Sequence, residues 1–525
     1  MKKKKWLAFL ISVVMLLSSC GSTSASSQSA PASDGSSTGT AEPAQLDTLK
    51  IGLAAFPTTL DPNYGIGIAS IKVFYNMFDT LLFTDKEGNI TGQLAESWEW
   101  LDDTTLNIKL RPNVTFHNGE ACTAEDVKFT FDRILNGYGD GTISVLYETL
   151  ESVDIIDDLT LQFHLSSPDA AFEDRLGSIW GASIIPKDYT TEVGDEAFAT
   201  APIGTGPYKM VSYSPEKYVL ERYDGFWGEA PEAREIQFIL YPEPSARVTA
   251  LMTGEVDIIN DVGTDMRDTV DQTPGLNVVG TGIKNIHIYV FQTQKDNIMS
   301  NEKFRQAVTI AINRQMLVDS LWTDYATVPN GHQFTSYGDL YLEDYPGIEY
   351  DLEKARQLVQ ESGYDGNEVI KIQFKQGYYT NGDQAAQAIC SMLGEIGVKA
   401  QVEYEDSFSW EFDYIHAWSS ASRFDNPLGA LWLLFGPGSN PVTQGCWTPT
   451  EEFLAAGDTL IHSSDLQQQQ QAAWKLMEVF DTYCPGTYLY QAEDLYGIRD
   501  GLQWDLTYCE NQIMPFRAGD IRATS

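Results

Sequence analysis

Residues Leu110-Arg111-Pro112-Asn113-Val114-Thr115-Phe116-His117-Asn118-Gly119, with Thr123-Ala124-Glu125-Asp126-Val127 just beyond, decide how the rest of the chain is read. Leu106, Ile108 and Leu110 alternate with polar residues, the period of a strand with one buried face. Val114 and Phe116 extend that alternation until Asn118-Gly119, a tight-turn dipeptide, reverses the chain. Thr123 and Asp126 then have capping-box spacing, and Val127, Phe131, Ile134 and Leu135 line one face of the helix that follows.

The same alternation of periods continues outward. Met210 and Tyr213, then Tyr218 and Leu220, flank Ser214-Pro215-Glu216-Lys217 as a hairpin, and Ile236, Phe238 and Leu240 form a further strand. Phe304, Ala307, Val308, Ala311 and Ile312 make a buried helical stripe. Ala355, Leu358 and Val359 do so before Gly363, and Ala388, Ile389, Met392, Leu393 and Ile396 before Gly397. The run Gln467 to Gln471 leads into Ala472, Trp474, Leu476, Met477 and Phe480, which makes it the exposed start of a helix. Strands and helices interleaved in this way predict an α/β protein, and 525 residues allow about three domains.

Composition narrows the function. Asp and Glu total 74 against 34 Lys and Arg, a net charge of -40 that repels phosphate backbones and excludes nucleic acid as a partner. At the start, Lys2 to Lys5 precede an apolar run from Trp6 to Leu17, the pattern of an export signal over residues 1–19 and too short to cross a bilayer. It ends in Leu17-Ser18-Ser19-Cys20, which resembles a bacterial lipobox, so Cys20 is expected to carry diacylglycerol and to begin the mature chain. Residues 20–45 are rich in Ser, Ala, Gly, Thr and Pro, the composition of a disordered tether. Five further cysteines, Cys122, Cys390, Cys446, Cys484 and Cys509, leave an odd count and fix no pairing.

The catalytic motifs lead nowhere. Gly35-Ser36-Ser37-Thr38-Gly39 has the form G-x-S-x-G but lies in the tether, without the strand and helix a nucleophile elbow needs. The six histidines are scattered, with no H-E-x-x-H or C-x-x-C to hold a metal. Neither catalysis, nor a cofactor, nor a metal is expected; a secreted hydrolase with a carboxylate pair is the alternative that so many acidic residues leave open.

From Pro57 onward the strings become specific. Pro57-Thr58-Thr59-Leu60-Asp61-Pro62, Phe78-Asp79-Thr80-Leu81-Leu82, Leu94-Ala95-Glu96-Ser97-Trp98, the opening stretch above, Pro202-Ile203-Gly204-Thr205-Gly206-Pro207-Tyr208 and Gly254-Glu255-Val256-Asp257 resemble the extracytoplasmic solute-binding proteins of family 5. Arg305-Gln306-Ala307, Ala311-Ile312-Asn313 and Tyr350-Asp351 with Lys354-Ala355 carry the resemblance to the second half. Taken singly these residues suit scaffold roles: Gly204 and Gly206 a tight turn, Thr123 a cap, Trp98 a core, and Phe116 to Gly119 a hairpin.

The resemblance implies an α/β, two-lobed periplasmic-binding-protein-like fold with mixed sheets. The larger lobe has two subdomains, and two strands form the hinge. Lobe I is expected over 46–284 with 493–525 and lobe II over 285–492, crossing near Lys284 to Gln292 and again near Leu489 to Asp494. The implied function is a monomeric, lipid-anchored receptor of an ABC importer, working with permease subunits in the cell membrane and closing around its ligand. Ligand contacts are expected from Ile66, Gly67 and Ile68 in lobe I, where a glycine lets a backbone approach. In lobe II they are expected from Trp418 with Ala417, Ser419, Ser420 and Ala421; Trp410, Trp432 and Trp447 read as core or rim. Peptide-binding members carry an Asp three residues after that Trp to pair with the ligand's amine, and here the position is Ala421, while Arg423 stands where counting back from Pro427 would place it. Either Asp425 replaces the missing acid, or the ligand lacks a free amine there and Arg423 holds a carboxylate. Peptides are the expected ligand, an opine-like anion or an oligosaccharide the alternatives.

Overall fold

The computed structural model describes residues 46–65, 67–406 and 409–524, so Cys20, the signal, the tether and Ile66 lie outside the described residues. A mixed sheet of 11 strands carries the architecture. Its order is Ala400–Glu405, Ile370–Lys375, Ile415–Ala421, Leu276–Phe291, Gly486–Arg499, Ile258–Ile259, Thr48–Leu53, Glu235–Leu240, Lys217–Arg222 and Tyr208–Ser214, with Ala326–Thr327 on a side branch. Leu276–Phe291 and Gly486–Arg499 are the long members, 16 and 14 residues, and each belongs to both ends of the sheet. Residues 276–282 pair with 493–499, whereas 286–290 pair with 486–491 and 285–291 also pair with Ile415–Ala421. The register slips between Gly282 and Ile286, an irregularity that bends a strand pair at one point. Two strands thus connect two lobes, and both turn where their pairing changes.

A separate antiparallel layer, Ala95–Asp102, Thr105–Leu110, Thr160–Leu165 and Leu150–Asp157, forms the second subdomain of the first lobe. Helix Ala124–Leu135 packs on it, closed at its start by the Thr123–Asp126 capping box and burying Val127, Phe131 and Ile134. The predicted strand stops at Leu110. Val114 and Phe116 are buried, but only a Thr115–Ala121 bridge and the bond from Phe116 N to Glu120 O (2.8 Å) hold that turn. Trp98 is half-buried on a strand whose residues, Ala95 apart, otherwise face solvent, so it caps the core edge instead of filling it.

The family-like strings build scaffold. His117 accepts from Gly204 N–H at Nδ1 (3.2 Å), which leaves Nε2–H to donate to Gly206 O (3.0 Å), and burial lowers its pKa to about 4. Gly204 and Gly206 serve close approach and not a positive-φ turn: a Cβ on either would stand 2.2 Å from Met77 O or 2.6 Å from Met77 C. Asp79 accepts from Arg517 (2.7 Å), Gln93 (2.9 Å), Thr205 (2.9 Å) and Trp227 (3.0 Å), and Asp61 from both ends of Arg133 (3.1 and 2.7 Å) and Tyr138 (2.8 Å). These are buried carboxylates with their lone pairs filled, as burial requires. The five described cysteines are all free thiols, four of them buried.

Candidate ligand site between the lobes

The lobes are closed on one another. An apolar cluster runs unbroken from Leu106, Phe131 and Phe163 in the antiparallel layer to Trp432, Phe453 and Phe480 in the second lobe. Polar bonds cross the same seam: Ala170 N donates to Ile461 O (2.7 Å), His462 Nε2 meets Ser167 Oγ (3.1 Å), and the buried Ser178 hydroxyl donates to Arg423 O. The Arg175 guanidinium lies 4.9 Å from the Phe424 ring centre, and that of Arg423 lies 3.9 Å from the Trp180 ring centre. Segment 167–180 of the first lobe and segment 423–425 of the second therefore face each other at contact distance.

The expected second-lobe residues divide between two faces of one strand. In Ile415–Ala421, Ala417 is buried in the core of its own lobe with Phe374, Leu489 and Tyr490, while Trp418 points the other way. Trp418 packs against Trp410 (5.0 Å between centroids) and His416 (5.7 Å). A cavity of about 20 Å³ beside it, lined by His287, Tyr379, Ala417 and Tyr490, has room for about one water and not for a solute. Ser419 Oγ accepts from Asn285 Nδ2 (3.4 Å), Ser420 is buried with its Oγ unpaired among the described residues, and Ala421 sits opposite Asn285. Trp432 and Trp447 are core, the first stacked on Phe453 and the second donating Nε1–H to Phe435 O (2.9 Å).

Gly67 precedes helix Ile68–Phe74 in extended backbone, with no atom within 4 Å of the place a Cβ would take. Its neighbour Gly65 is covered by the Asp140 carboxylate, 2.3 Å from an added Cβ, and Asp140 N donates to Tyr64 O (2.7 Å). Asp140 is also the charge that supports ionised Arg423, so it links the neighbourhood of the Gly67 segment in the first lobe to Arg423 in the second.

Asp425 is already occupied: its oxygens accept from Lys284 Nζ (2.8 Å) and Ser336 Oγ (2.8 Å), and Lys284 pairs with Glu510 as well (2.8 Å). Asp174, on helix Phe172–Gly177, has no hydrogen-bond partner among the described residues. Its burial, then the Asp425 charge, raise its pKa to about 7. Arg423 makes no ion pair among the described residues and its buried Nη1 has no hydrogen-bond partner there; burial pulls its pKa down to about 10, so it remains charged at neutral pH. Trp180, 2% exposed, has an unpaired Nε1–H as well. Sequence reasoning singled out Arg423 and Asp425 but missed Ser178, Trp180 and Asp174. They lie in or beside an irregular segment without periodicity, and only the distant Arg423 to Asp425 loop reveals what they face.

A charged, incompletely paired seam closed by two connecting strands defines a solute-binding protein. Residues 89–441 match the bacterial extracellular solute-binding proteins, family 5 Middle, and the chain belongs to that family. It is 27% identical over 456 residues to the oligopeptide-binding protein AppA of Bacillus subtilis (strain 168), covering 80% of this chain and 82% of AppA. Its fold matches that of the periplasmic binding protein DppA from Helicobacter pylori in complex with peptide STSA, with a TM-score of 0.79 at 21% identity, covering 92% of this chain and 99% of DppA. The binding protein AgaA in complex with agropinic acid, from A. tumefaciens R10, has the same TM-score, 0.79, at 21% identity, covering 91% of this chain and 99% of AgaA. The chain is thus a bacterial extracellular solute-binding protein, a two-lobed binder and not an enzyme.

Proposed function

We propose that this protein is a lipid-anchored receptor that captures peptides between its lobes and delivers them to the permease of an ABC importer. The observation that carries the reading is the seam itself, where Arg423 and Trp180 from opposite lobes each leave a buried donor unpaired among the described residues and Asp174 has a raised pKa. A peptide brings an ammonium, which the Asp174–Asp425 side would favour, and amide and carboxylate oxygens for the donors. The oligopeptide-binding relative supports the same class. Lys2 to Lys5, the apolar run and Cys20 support the anchor. The register slip between Gly282 and Ile286 supports a crossing near residue 284, with lobe I over 46–284 and 493–525 and lobe II over 285–492. Ligand held by both lobes would bias the hinge toward closure, because only differential contacts shift such an equilibrium.

A second reading, an opine-like anionic solute, is favoured by the unpaired Arg423 guanidinium. Native mass spectrometry of the protein lacking residues 1–45, purified without denaturation, tests both. A co-purified ladder of peptide masses is expected. A single small acid would replace the peptide by the second reading, and a sugar would remove both.

A further inference from the structure

Two hydrogen-bond donors are left without partners at one place in the seam, and they come from opposite lobes. Trp180 belongs to the first lobe and is almost fully buried, yet its Nε1–H meets no acceptor among the described residues. Arg423 belongs to the second and lays its guanidinium on the Trp180 ring face at 3.9 Å, with Nη1 buried and unpaired. That contact holds the cationic fork within one neighbourhood of the indole and its N–H. The stack is braced from behind: Ser178 Oγ donates to Arg423 O, Trp180 N donates to Ser178 Oγ (3.1 Å), and Arg423 N donates to Gly429 O (2.8 Å). Unpaired buried donors cost free energy in the closed form, and the natural complement of a rigid cationic fork next to a neutral N–H is an oxyanion. Asp140 is near enough to favour the charged guanidinium but forms no ion pair with it, which leaves the fork free.

We infer that Trp180 and Arg423 together form a seat for a ligand carboxylate, Arg423 supplying charge and a fork and Trp180 a second donor from the opposite lobe. The seat exists only when the lobes are closed, so a carboxylate bound there stabilises closure itself, and a ligand whose acid is masked would lose affinity and closure together. This rests on the receptor reading above but not on the ligand being a peptide.

Calorimetry with the protein lacking residues 1–45 tests it, using tri-, tetra- and penta-alanine and their C-terminal amides, beside the non-peptide acids succinate, glutarate and benzoate. Free acids are expected to bind at least tenfold more tightly than the amides. The ratio should fall below threefold in Arg423→Gln, and several-fold in Trp180→Phe, which keeps the ring face and deletes only the N–H. Thermal unfolding of both variants without ligand shows whether the fold is intact, and Arg423→Lys, which keeps the charge and loses the fork, should recover only part of the discrimination. Peptides bound equally as acids and amides would overturn the seat and leave the peptide reading standing. Non-peptide acids bound in an Arg423-dependent way, with no peptide bound, would support the seat and remove the peptide reading. No acid bound in either series would remove both.

Discussion

Removing one hydroxyl should separate closure from folding. Ser178 is 4% exposed, and its Oγ donates across the seam to Arg423 O while accepting from Trp180 N within its own lobe. In Ser178→Ala the closed form keeps a carbonyl at the seam with no donor; at about 1–2 kcal/mol for an acceptor left unmet, the closed form loses roughly 5- to 30-fold in population. The open form never made that bond and loses nothing there. Ligand is held by the closed form, so its dissociation constant rises by the same factor. Within lobe I only the Trp180 N–H is freed, and the unfolding midpoint should fall by no more than about 2–4 °C. Calorimetry with the ligand found by native mass spectrometry reads the affinity, small-angle scattering of the ligand-free protein reads the opening, and differential scanning calorimetry reads the midpoint. Affinity within twofold of the wild type would refute the view that the 178–423 contact sets closure. A large fall in midpoint alongside the affinity would assign the hydroxyl to folding instead.

Other perturbations reach the remaining parts of the seam. Gly67→Leu meets open space and ordinary extended backbone, so the midpoint should not move while affinity falls at least several-fold; unchanged affinity would take this segment out of the site. Asp174 has a raised pKa, about 7, in the closed form and an ordinary one, about 3.9, once exposed to water, so the closed form holds a proton that the open form releases between those values. Closure of the ligand-free protein should therefore weaken as pH climbs from about 4 to about 7 and level off above, and Asp174→Asn should flatten the profile; a wild-type profile flat over that range would show that Asp174 does not titrate on closure. Gly206→Ala drives a methyl to within 2.7 Å of Met77 O and 2.9 Å of Phe78 N, backbone atoms that cannot swing away, and should cost about 1–3 kcal/mol of stability with ligand affinity retained. An unaltered denaturation midpoint would show that the 204–206 loop is more compliant than its packing suggests.

What could be read from the chain was whatever its chemistry settles over a few residues. The Thr123–Asp126 box forms as its spacing requires, the hairpin closes at Ser214 and Lys217, and the helices over Leu352–Ser362 and Gly382–Glu395 stop where Gly363 and Gly397 take positive φ. The quoted family strings pointed to the two-lobed fold. The site was legible only in part, because its groups answer to partners far away in sequence. Asp425 reads as a free acid until Lys284, 141 residues earlier, is seen on it, and the Arg423 carbonyl is claimed by Ser178 across 245 residues. The glycines at 204 and 206 mislead for the same reason: their role lies in Met77, whose carbonyl they admit, and not in their own turn. Local rules hold where a segment satisfies itself, and they run out where two lobes are each left incomplete so that a third body can complete them. Asp174 and Trp180 carry no local signal and stand far in sequence from Arg423, and the three become a site only because closure brings their charge and hydrogen-bonding groups into one seam.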